Sequence, residues 1–140
     1  MKKAVNISIR GLQLDQQNGQ DEIETILSGE YFEKNGNHYL IYEEIQEGTK
    51  NPTKNVLKFS QNRLHMSKSG EVNVQMEFEK DRKSVTTYHT PFGNLLLGID
   101  TTSIELKQLE EELALEVCYG LEVNSEFLAE CRISIKATNR

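Results

Sequence analysis

No tryptophan occurs in these 140 residues, and there are only two cysteines, two prolines and three histidines. Two cysteines without a Cys-x-x-Cys spacing exclude a disulfide-built scaffold. No run of about 18 apolar residues exists to span a bilayer as a helix. Asn6, Ser8 and Arg10 interrupt the apolar stretch that follows Lys2-Lys3, which excludes a secretory leader. Absent too are Gly-x-Ser-x-Gly, Walker-type loops, dinucleotide fingerprints and His-Glu-x-x-His, so no enzyme motif marks a reaction. The chain reads as a soluble cytoplasmic protein with reduced thiols.

The charge is −6 and uneven. Residues 1–70 hold nine basic and nine acidic side chains, whereas residues 71–140 hold seven and thirteen. Affinity for phosphate needs clustered Lys and Arg, so neither nucleic acid nor an anionic membrane is expected as a partner. The acidic excess reads as a solvated face. At 36% hydrophobic and 27% charged, the chain is globular, and its length suits one domain over residues 1–140.

What is present is alternation. Val5, Ile7 and Ile9 share one face of a first strand, and Gly11 shifts the apolar phase. Asn35-Gly36 joins residues 22–34 to 38–46 as a two-residue hairpin, which sets Phe32 opposite Tyr39 and Tyr31 opposite Leu40. Gly48 to Thr53 reads as a loop, followed by strands 55–60 and 63–67. Keeping Leu64 and Met66 in phase with Val72, Val74, Met76 and Phe78 asks for a three-residue loop at Lys68-Ser69-Gly70. The opposite face then carries Arg63, His65 and Ser67 against Glu71, Asn73, Gln75 and Glu77, a polar and wet surface.

Val85 to Asp100 organises the rest: a β-branched strand reaches Pro91-Phe92-Gly93 and leaves as a second strand through Leu95, Leu97 and Ile99. Along residues 85–90 two registers compete for the interior, Val85, Thr87 and His89 against Thr86, Tyr88 and Thr90. Leu106, Leu109 and Leu113 fit helical spacing, yet strands flank them, so residues 103–114 are expected as strand, acidic loop and strand. In the last hairpin a three-residue loop at 124–126 places Cys131 opposite Tyr119 and turns Cys118 to the other face. About ten short strands joined by tight turns predict an all-β fold, an antiparallel closed barrel of about 8–10 strands.

The corner Tyr88-His89-Thr90-Pro91-Phe92-Gly93, the Arg63 to Gly70 strand and turn, and Val117-Cys118-Tyr119 resemble the YwiB-like family of small bacterial proteins with a lipocalin- or calycin-like barrel. The resemblance runs from about Ala4 to Lys136. It implies a closed barrel of eight or more strands and no helix at 103–114. It supplies no catalytic set.

No metal or cofactor is expected. His38, His65 and His89 are far apart, and adjacent carboxylates such as Glu43-Glu44 alternate faces in a strand, so neither forms a ligand set or an acid/base pair. Tyrosines with polar tips suit the lumen of a barrel that holds one small amphipathic ligand. The residues expected around it are Tyr88, Phe92 and Tyr119, with Arg63 or His65 orienting a polar group. The alternative is a structural protein whose doubly aromatic ribbon, residues 26–45, forms a homodimer or partner interface. A third reading, an enzyme in the barrel mouth, requires His65 or His89 beside an acid.

Overall fold

The computed structural model describes residues 3–11, 24–45, 51–70, 73–90 and 93–140. Ten strands follow one another: β1 (Lys3–Arg10), β2 (Glu24–Lys34), β3 (Asn37–Glu44), β4 (Thr53–Phe59), β5 (Arg63–Ser69), β6 (Val74–Glu79), β7 (Arg82–Thr90), β8 (Gly93–Gln108), β9 (Glu112–Val123) and β10 (Glu126–Asn139). All pairings are antiparallel, and the hydrogen-bonded order is β6-β5-β4-β3-β2-β1-β10-β9-β8-β7. Because β1 pairs with β10, the two ends of the chain lie mid-wall and the barrel closes nearly completely. Among the described residues the interrupted seam falls between β6 and β7, neighbours in sequence, joined by a single bridge of Asn73 to His89.

Period-two alternation sends the apolar set inward on every strand. Leu40, Leu57, Leu64, Met66, Phe78, Val117 and Ile133 have 0% or nearly 0% exposure and come from walls all round the barrel. They line the interior. On β7 the competition of registers resolves with Ser84, Thr86 and Tyr88 half-buried and Val85, Thr87 and His89 exposed. Residues 103–114 contain no helix: β8 runs to Gln108 and β9 begins at Glu112.

The Asn35-Gly36 turn has both residues at positive φ (54° and 80°), and it sets Phe32 on Tyr39 and Tyr31 on Leu40 as expected. Two other hairpins depart from expectation. In the last one the turn has two residues, Asn124 and Ser125, at φ 51° and 72°, and a bulge between Phe127 and Ala129 adds the residue that was assigned to the loop. Turn plus bulge give the same offset, so Cys131 does face Tyr119 while Cys118 pairs with Arg132 on the outer side. In the β5–β6 hairpin Leu64 meets Phe78 and Met66 meets Met76, a register with the expected parity but a longer connection. Lys68 and Ser69 belong to the strand, not the loop. The Asn73 side chain secures that connection by bonding the Gly70 backbone, accepting from its N–H at 3.2 Å and donating to its carbonyl at 2.9 Å. Thr53 likewise opens β4 instead of closing a loop. The expected continuation of β1 to Leu12 and Leu14, and the Pro91-Phe92 corner, lie outside the described residues.

Candidate functional site

The residues expected around a ligand separate into two sets. Arg63 and His65 stand on the outer wall, where His65 Nδ1 and Glu77 Oε1 are 3.0 Å apart and an Arg63 nitrogen lies 3.6 Å from the same oxygen. These contacts hold the Glu77 carboxyl below the usual carboxylate range, the His65 hydrogen bond contributing most. Tyr119 and Tyr88 point inward. Tyr119 is buried edge-on to Phe78, with ring centroids 5.0 Å apart, and burial pushes its phenol well above the ordinary tyrosine value. Tyr88 is half-buried against the core. Phe92 lies outside the described residues. The wall therefore separates Arg63 and His65 from Tyr88 and Tyr119. His89, the other histidine considered, is exposed beside Asn94, its Nδ1 3.0 Å from the amide oxygen.

Two polar clusters inside the barrel were not anticipated. Towards the end where β3 meets β4, Lys68 Nζ lies 2.7 Å from both Glu44 Oε1 and Asn55 Oδ1, and Asn55 Nδ2 donates to Glu44 at 3.1 Å. The Lys68 side chain is only 10% exposed. A carboxylate and an amide take the place of water around its Nζ. At the opposite end His38, itself buried, has Nδ1 2.7 Å from the Tyr31 hydroxyl and Nε2 3.4 Å from the Gln108 amide nitrogen. Phe59 stacks on the same ring, with centroids 5.4 Å apart. The signal for the first cluster was parity: Asn55 shares phase with Leu57 and Phe59, and Lys68 with Leu64 and Met66.

A groove of about 720 Å³ crosses the outside of β2, β1, β10, β9 and β8. The register aligns its residues in rows. One row runs Glu24, Arg10, Ser134, Glu116 and Glu105, and the next runs Ile26, Ser8, Lys136, Ala114 and Lys107. Ser8, Ser134 and Ala114 thus alternate with long charged neighbours across the middle strands. Arg10 Nε donates to Glu24 at 2.9 Å, and this bond, helped by Ser8, lowers the Glu24 carboxyl from its ordinary value. Glu105 and Glu116 face each other directly across β8 and β9. Among the described residues no group of three His, Cys, Asp or Glu side chains is placed to hold a metal ion. No helix there is long and apolar enough to cross a membrane.

A second outer feature is apolar. Val85, Phe127 and Leu128 are more than half exposed, and Leu96 is 41% exposed. The Leu96 backbone is bonded to Asn124, and the Phe127 ring lies against Gly120, so three of the four gather around the last hairpin turn.

Residues 7–135 match the profile of a family described as "Domain of unknown function (DUF1934)". The chain is 28% identical over 127 residues to the "Uncharacterized beta-barrel protein YwiB" of Bacillus subtilis (strain 168), covering 90% of this chain and 88% of that protein. The crystal structure of the ywiB protein from Bacillus subtilis superposes with a TM-score of 0.80 at 22% identity, over 99% of this chain and 93% of that one. The shared fold is the β-barrel.

Proposed function

This chain belongs to the DUF1934 family, and from that premise we propose that it is a binding module for a small amphipathic molecule, held on the outer wall. The observation that carries the reading is the groove across five strands, where Ser8, Ala114 and Ser134 leave space between long charged neighbours. Its size falls within the roughly 300–1,000 Å³ usual for small-molecule sites. Tyr119, packed edge-on to Phe78 in the core, is not part of this groove. Native mass spectrometry of the protein purified from its own cells tests this. A bound small molecule is expected, and Ser134→Trp should fill the groove and remove it while the circular dichroism spectrum stays unchanged. Bare protein, or an adduct indifferent to that substitution, would count against the proposal.

The apolar patch at Leu96, Phe127 and Leu128 favours a second reading, a homodimer. It replaces the ribbon 26–45 as the candidate interface, because Phe32 and Tyr39 stack on each other at 4.6 Å and are half-buried already. Light scattering should then find a dimer that Phe127→Lys converts to monomer. A wild-type monomer at high concentration eliminates this reading.

A further inference from the structure

We infer that the seam between β6 and β7 is a lateral gate to a second, inducible site inside the barrel, distinct from the groove, for a slender aliphatic molecule with one neutral hydrogen-bonding group. Asn73 and His89 exchange both backbone hydrogen bonds, at 3.2 and 3.1 Å. Continued in that register, the next rungs would join Gln75 to Thr87 and Glu77 to Val85. Among the described residues neither rung forms, and the Ser84 hydroxyl donates to the Glu77 carbonyl at 2.7 Å instead. The slit is bounded at one end by this bridge and at the other by the Lys80-Asp81 turn, whose Asp81 N–H donates to the Thr101 carbonyl at 2.9 Å. β6 and β7 stay side by side along the seam, so a guest would enter only as the two strands part between these pins.

What lies behind the slit suits such a guest. Met66 and Met76 are paired on the inner face of β5 and β6, and unbranched thioethers repack more readily than branched side chains. Further in, the Thr101 hydroxyl is sealed in the core and has no hydrogen-bond partner among the described residues. Thr101 pairs with Tyr119, whose ring touches Phe78 of β6, so the orphaned hydroxyl and the seam strand meet around one aromatic ring. Buried hydroxyls are nearly always satisfied, and a guest carrying an alcohol or carbonyl would satisfy this one.

The test uses the full chain, methyl-labelled at methionine, with 1-octanol as probe. Saturable shifts of the Met66 and Met76 methyl signals are expected, and Thr101→Val should bind octanol roughly tenfold more weakly. In a Cys118→Ser/Cys131→Ser background, a Gln75→Cys/Thr87→Cys pair should abolish the shifts when oxidised and restore them when reduced. Absence of saturable shifts, equal affinity in Thr101→Val, or unchanged binding to the oxidised pair each overturns the inference. None of these outcomes bears on the Ser134→Trp test of the outer groove.

Discussion

Lys68 holds its ammonium 2.7 Å from the Glu44 carboxylate on the inner side of the barrel wall, with Asn55 completing the contact. A charge pair in this setting is worth little relative to an apolar pair of similar size, but losing one partner strands the other. Glu44→Gln should therefore destabilise the protein by about 2–3 kcal/mol in urea unfolding, while Glu44→Leu combined with Lys68→Met should restore most of that loss. A single substitution that leaves the midpoint unmoved would mean that water already solvates Lys68.

Thr101 yields the opposite sign. Its buried hydroxyl lacks a partner among the described residues, so Thr101→Val removes a desolvated polar group with almost no change in shape. Stability should rise by about 1 kcal/mol, or roughly 3 °C in Tm. Calorimetry showing a lower Tm would reveal a hidden partner for that hydroxyl.

Hydrogen exchange should map the seam. The amides of Gln75, Glu77, Val85 and Thr87 face a gap without ladder bonds, whereas β4 is laddered on both sides. Exchange at the four positions should run about a hundredfold faster than in the middle of β4. Equal protection would mean that the seam is zipped in solution.

The outer pair of His65 and Glu77 predicts an acid-side effect. Glu77 titrates below its ordinary range in the folded protein, chiefly through the hydrogen bond to His65. Its contribution is thus complete above the unfolded carboxyl pKa and disappears as pH falls through the depressed folded value. With 43% of the Glu77 side chain exposed, the effect is limited to a few tenths of a kcal/mol. Wild type and His65→Ala should differ slightly at pH 6–7 and converge near pH 3, as read from urea midpoints. A gap that widens towards acid contradicts this sign.

Much of the architecture was legible because one face of each strand had to be apolar. Val5, Ile7 and Ile9, or Leu115, Val117 and Tyr119, announce both the strand and the side it buries. Asn35-Gly36 announces its turn because both positions need positive φ. Parity alone, however, does not count residues. It left the β5–β6 register open by steps of two, and in the last hairpin it could not tell a longer loop from a short turn plus a bulge.

Less of the candidate site could be read from the residues. Arg63, His65, Tyr88 and Tyr119 are spaced so that a common lining was conceivable, but the wall puts the first two outside and the last two inside. Strand order and polar residues were fixed by different constraints. Alternation and turn chemistry are local, so the sequence by itself determined about 8–10 strands, the inward face of most of them and an all-β barrel, while the inner face of residues 22–46 and 83–90 stayed open. Burying Lys68 and Asn55, gathering Ser8, Ala114 and Ser134 into one groove and leaving β6 unladdered against β7 depend on the curvature of the whole wall. Only the tertiary structure decided those features, because each joins groups from separate strands whose proximity no local pattern encodes.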